Sequence, residues 1–199
     1  MIDDPAAPSP TVHRVAGDEG SVAALDWGGP GTPLVLLHPN GFCAGLYEPL
    51  AVRLAAGGEA RCVAIDLPGH GLSDAPATRA AYGFDHMARA VVAALDALGI
   101  DRAVGVGGSL GGGVAVLADA ARPGIWERLL LAEAVAFPAA APPAGAPNPM
   151  AEAARRRRRT FPDRASMVWA YATRAPLSQL APEALRAYVR WGTRDTPAG

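Results

Sequence analysis

The sequence predicts an α/β fold, a mostly parallel sheet with flanking helices, followed by further helices after its sixth strand. Three observations predict it. Short apolar runs at Leu34–Leu37, Cys62–Ile65, Ala103–Val106 and Leu129–Ala132 alternate with helical stretches, the pattern of repeated βαβ units. A glycine-rich turn with a serine at its tip, Gly107-Gly108-Ser109-Leu110-Gly111, joins one of these runs to the helical stretch Val114–Ala121. Beyond Phe137 the composition changes, and no further run reads as a buried strand.

Each element has its own signal. Residues 1–10 begin with two acids followed by alternating prolines and small residues, and are expected to be a disordered lead-in. Thr11–Val15 and Ser21–Asp26 flank the turn Gly17-Asp18-Glu19-Gly20, which predicts an antiparallel hairpin. Leu34–Leu37 is continuously apolar, as a strand buried on both faces requires. A helix over 47–55 leads to the second buried strand, Cys62–Ile65. Met87, Ala90, Val91, Ala94, Leu95 and Leu98 recur at steps of three and four, marking an amphipathic helix with Gly99 at its C-terminal cap. Five prolines within 138–149 form a linker, and helices are expected over 150–159, 164–173 and 182–191. The organisation expected is therefore a core over 11–137 followed by a proline-rich linker and helices over 138–199.

Bulk composition narrows the function. The 199 residues are half apolar and carry a formal net charge of −1, so no global field points to nucleic acid or membrane. The distribution is uneven: residues 1–149 hold 8 Arg against 15 acids, and 150–199 hold 10 Arg against 4 acids. Lysine is absent, which removes any P-loop. Cys43 and Cys62 are too few for a disulfide framework and lack metal-ligand spacing. The opening residues carry no signal-peptide pattern, and no run approaches the ~20 apolar residues of a membrane span. A cytoplasmic location is expected, with no metal, no organic cofactor and a small-molecule substrate as partner.

The serine turn carries the chemistry. A sharp strand-to-helix turn holds its serine in a strained conformation, and glycines two residues to either side let strand and helix approach. The following helix directs free N–H groups at negative charge developing near the hydroxyl. Two further loops accompany it: His38-Pro39-Asn40-Gly41-Phe42 after the Leu34–Leu37 strand, and Asp66-Leu67-Pro68-Gly69-His70-Gly71-Leu72-Ser73 after the next. Together these motifs resemble the α/β-hydrolase family over roughly residues 11–195. His38–Phe42 looks like its oxyanion loop, Asp66–Ser73 like its Asp-x-x-Gly-x-Gly-x-Ser turn, and Gly107–Gly111 like its nucleophile elbow.

The resemblance implies that 138–199 is a helical cap following the sixth strand, and that the chain is a serine hydrolase acting on a small ester-like substrate through an acyl-enzyme on Ser109. Relatives that open epoxides or displace halide have an aspartate at this position, so a serine points to acyl chemistry. Leu110 N–H would give one oxyanion donor. For the second the resemblance favours Phe42, with Asn40 and Gly41 as rivals. Glu133, closing the sixth strand, is the candidate triad acid; its alternative role is to fix the cap junction or pair with an arginine. Asn40 and Trp169 are candidate substrate-binding residues, and Trp169, Tyr171, Tyr188 and Trp191 are expected to pack the cap helices.

One component does not fit. The family pattern continues after the cap with two strands and two helices carrying an acid and the catalytic histidine, whereas His13, His38, His70 and His86 all precede Ser109. The chain is therefore expected to be a truncated piece or a degenerate member. Its alternative functions are a non-catalytic binding or interaction module, or a half-domain that self-associates through the open edge of its sixth strand. The five arginines Arg155–Arg159 spray around a helix with no interleaved aromatic platform, which favours a solvated cap surface over nucleic acid, with acidic or phosphate partners kept as a weaker option.

Overall fold

A computed structural model describes residues 9–135 and 149–196. The expectations for residues 1–8 and for the linker over 136–148 fall outside the described residues. Six strands form one sheet: β1 (Thr11–Gly17), β2 (Gly20–Gly28), β3 (Pro33–Leu37), β4 (Arg61–Asp66), β5 (Ala103–Gly108) and β6 (Trp126–Ala132). Their spatial order is β1-β2-β4-β3-β5-β6, with β1 and β2 antiparallel and the β4-β3-β5-β6 ladder parallel. The α/β class and mostly parallel sheet expected from the sequence are what the chain adopts.

The central strands are buried because helices cover both faces. Side chains alternate across a pleated strand. On one face Val35, Leu37, Val63 and Ile65 pack with Met87, Val91 and Leu95 of α2 (Phe84–Ala97) and with Val114, Ala115 and Ala118 of α3 (Leu110–Ala121). On the other face Leu25, Leu36, Cys62 and Ala64 pack with Ala51 of α1 (Glu48–Ala56). The continuous apolar runs were thus required by two-sided burial. Strand β6 is different: it ends the sheet, and Leu130 and Leu131 are 62% and 44% exposed.

Three helices follow in the second described segment: α4 (Pro149–Arg156), α5 (Arg164–Ala172) and α6 (Pro182–Gly192). Asp163 caps α5 by accepting the Ser166 N–H at 2.6 Å. Helix α6 packs on the 3₁₀ turn Ala44–Tyr47 that follows the β3 loop. A Cβ on Gly45 would run into the Trp191 side chain, so this close approach needs glycine. Trp191 Nε1 donates to Glu48 at 3.0 Å, and Tyr188 Oη donates to the Gly41 carbonyl at 3.0 Å. Tyr188 and Trp191 pack as expected, and Tyr171 joins their cluster, but Trp169 is 72% exposed. Its face of α5 meets solvent because α6 packs against the opposite one. Among the described residues no helix is long and apolar enough to cross a membrane.

Candidate active site

Ser109 sits where β5 turns into α3, with φ 48° and ψ −111°. A non-glycine residue holds this left-handed backbone only where its surroundings impose it, at a cost of order 1–3 kcal/mol. Here the surroundings are close contacts between strand and helix. A Cβ on Gly107 would lie 2.6 Å from Gly112 Cα, and one on Gly111 would drive into the Leu37 carbonyl. Larger residues would push α3 away from the sheet and unbend the turn. The Ser109 carbonyl accepts from Gly112 and Gly113 N–H at 3.1 and 3.2 Å, which closes the first turn of α3. The hydroxyl is half-buried, and among the described residues it makes no hydrogen bond.

The His38–Phe42 loop, the expected oxyanion loop, is fixed from three sides. His38 is fully buried: its Nε2 accepts the Leu67 N–H at 3.0 Å, so the ring proton lies on Nδ1 and donates to the Pro39 carbonyl at 2.8 Å. Burial holds this imidazole neutral, with its pKa pushed down to about 3. Asp66, also buried, accepts from Ala44 N–H at 2.6 Å and Leu72 N–H at 2.9 Å, tying the oxyanion loop to the glycine turn. Desolvation raises its pKa to about 6, and the two amides oppose that rise. The third tether is Tyr188 on the Gly41 carbonyl.

Phe42 N–H donates to the Pro39 carbonyl at 3.2 Å, closing a tight turn next to its sequence rivals Asn40 and Gly41. The turn formed after Pro39 is a local hydrogen bond that the motif alone did not disclose. Leu110 N–H opens α3 directly beside Ser109, and the Leu110 side chain is buried. Asn40 Oδ1 lies 3.2 Å from His70 Nε2, so the Asn40 side chain faces the glycine turn.

Glu133 follows β6 with φ 53°; among the described residues it and Ser109 are the two non-glycine residues with positive φ. Its side chain is exposed. The four histidines lie apart in role. His38 anchors its loop, and His70 Nδ1 faces the Pro68 carbonyl at 3.1 Å while burial lowers its pKa. His13 stands on β1, 3.8 Å from Asp26, and His86 lies in α2. Trp169 lies on α5 with its side chain exposed to solvent. Sequence reasoning passed over Asp66 as a working residue, although the motif that contains it was visible.

Elbow, oxyanion loop and sheet order together define an alpha/beta hydrolase fold: that family's model matches residues 32–191, and the chain belongs to it. The pimeloyl-[acyl-carrier protein] methyl ester esterase of Xanthomonas campestris pv. campestris (strain B100) is 39% identical over 113 residues, 57% of this chain and 41% of that protein. Haloalkane dehalogenase 2 of Mycobacterium bovis is 36% identical over 88 residues, 44% of this chain and 30% of that one. Among solved structures, Est816, described as an N-acyl homoserine lactone degrading enzyme, superposes with a TM-score of 0.61 at 28% identity, covering 89% of this chain and 64% of that chain. These relatives are hydrolases. The match spans 33%, 30% and 41% of the length of three curated relatives.

Proposed function

We propose that Ser109 is the nucleophile of a serine hydrolase that cleaves a small ester-like substrate. One observation carries this reading: the strained backbone of Ser109 at the mouth of α3, which leaves a half-buried hydroxyl unbonded beside the helix N-terminus. In this mechanism Ser109 Oγ attacks the substrate carbonyl carbon. The negative charge on the carbonyl oxygen is held by Leu110 N–H and by the N–H of Asn40 or Gly41. The hydroxyl proton passes to a base and then to the departing alkoxide as the carbon–oxygen bond breaks. Water repeats the sequence to release the acid and restore Ser109. Glu133 is the proposed triad acid.

The serine selects among the relatives' chemistries. The esterase and the lactone-degrading enzyme act on acyl carbonyls, as their names state, and a serine nucleophile suits that chemistry. Halide displacement, named for another relative, calls for a carboxylate nucleophile at this place. Whole-protein activity belongs to the same proposal, because the chain covers less than half of the matched esterase.

Fluorophosphonate labelling of the folded chain tests the reading against Ser109→Ala. Labelling that the substitution abolishes supports an activated serine. A folded chain that takes no label would favour the second reading, a binding module of this fold. That second reading has its own observation: His38 and His70 are both engaged by backbone carbonyls, and among the described residues no histidine hydrogen-bonds Ser109.

A further inference from the structure

An open groove of about 700 Å³ lies between the start of α5 and the end of α6. Arg159, Arg164, Arg190 and Arg194 line it, with Phe161 and Met167 as apolar wall. Its charges do not cancel. Asp163, also in the lining, is engaged in capping α5 at 2.6 Å. Asp195 pairs with Arg164 at 2.8 Å, and Glu48, from α1, stands 3.5 Å from Arg190. Among the described residues neither Arg159 nor Arg194 has a carboxylate partner. Arg194 is nevertheless held in place: its Nη2 donates to the Gly71 carbonyl at 3.3 Å, which leaves its other N–H groups free. Arg164 is likewise positioned through Nε on Thr193 Oγ1 at 3.1 Å.

We propose that this groove binds a phosphate group carried on a small organic molecule. Two guanidinium groups without carboxylate partners match a phosphate dianion, and a guanidinium presents its N–H groups in a fork that fits phosphate oxygens. The apolar wall would cover the organic part next to the phosphate. A single carboxylate would leave one guanidinium unmatched. A chain of contacts links the groove to the loop after β3: Arg194 holds Gly71, next to His70, and His70 meets Asn40. A phosphate bound there would anchor the part of an acyl substrate that does not react. That substrate role rests on the hydrolase reading; phosphate binding itself does not.

Calorimetric titration with phenyl phosphate at 150 mM salt tests the site, with benzyl alcohol as the uncharged comparison. Saturable one-to-one binding with Kd below about 1 mM is expected, with none for the alcohol. Arg159→Ala and Arg194→Ala should each weaken it roughly tenfold or more, whereas Arg79→Ala, outside the groove, should leave it unchanged. Circular dichroism establishes that each variant is folded. Absent or unsaturable binding overturns the proposal, as does equal binding by the arginine variants. So does tighter, arginine-dependent binding to an oligonucleotide or to vesicles with a quarter phosphatidylserine, which would make this a macromolecular surface. Ser109→Ala should bind phenyl phosphate like the parent. A folded parent chain that binds phenyl phosphate but takes no fluorophosphonate label would therefore count against the hydrolase reading alone.

Discussion

Ser109 N–H donates to the Ala132 carbonyl at 2.9 Å, so the elbow is fastened to the last residue of the neighbouring strand. Three residues on, Val135 N–H returns a bond to the Ser109 carbonyl at 3.0 Å. Between these two bonds the chain passes through Glu133, whose φ of 53° makes the turn back toward α3. The two strained residues of the site are thus parts of one hydrogen-bonded unit.

Substitution at Glu133 separates its backbone from its carboxylate. Glu133→Val places a β-branched residue in the left-handed region and is expected to cost about 1–3 kcal/mol in urea unfolding. Glu133→Gln keeps the backbone preference similar and is expected to stay within about 0.5 kcal/mol of the parent. A fall in the fluorophosphonate labelling rate of the Gln variant, at unchanged stability, is expected if the carboxylate serves Ser109. An unchanged rate assigns Glu133 to the turn alone.

Gly111→Ala is expected to be among the most damaging single-methyl changes in the chain. The added Cβ meets the Leu37 and His38 carbonyl oxygens, which are backbone and cannot rotate aside. A loss of about 3 kcal/mol or more is expected, since overpacking against fixed backbone exceeds the usual range for a methyl group. Denaturant midpoints measure it directly.

These particulars show how far the sequence could be read. Strands β3, β4 and β5 announced themselves because two-sided burial leaves nothing but apolar residues in them. Gly107 and Gly111 flagged the elbow because only glycine fits there. The turn in which Phe42 N–H bonds the Pro39 carbonyl was not legible, because motif spacing does not report which amides are already bonded. Trp169 was expected to pack because an aromatic residue in a cap helix usually does, yet which face of α5 is covered depends on where α6 docks. That docking is set by Gly45 and Trp191, far apart in the chain.

Stability should depend on pH through His38 and Asp66 in opposite senses. The folded pKa of His38 lies at about 3, well below the ordinary ~6.5. Above that ordinary value its contribution is complete. As pH falls from about 6.5 to about 3 the unfolded chain gains a proton the folded one refuses, costing about 1.4 kcal/mol per unit. His70, also lowered by burial, adds in the same direction. Asp66 is raised to about 6, so between about 6 and 4 the folded chain keeps a proton that the unfolded one releases, which favours folding on acidification. Urea midpoints from pH 7 to 4 should therefore fall less steeply in the parent than in Asp66→Asn, and less steeply in His38→Gln than in the parent.

The exposed edge of β6 is expected to drive concentration-dependent association. A parallel strand that has no neighbour on its outer edge among the described residues, with exposed leucines on both faces, is a template for a second strand. Sedimentation velocity should show the sedimentation coefficient rising with concentration, and Leu130→Lys with Leu131→Lys should suppress the rise. A monomer throughout the concentration range would count against association through this edge.

The contact of α6 with the turn after β3 has a consequence for recombining this protein with its relatives. Gly45, Glu48 and the Gly41 carbonyl follow β3, whereas Tyr188, Arg190 and Trp191 lie on α6. An α6 segment grafted from another hydrolase would bring a different residue opposite Gly45 and would release the carbonyl at Gly41. The exchangeable module is therefore not α6 by itself: residues 41–48 must travel with it, or the transplanted helix will reset the loop after β3.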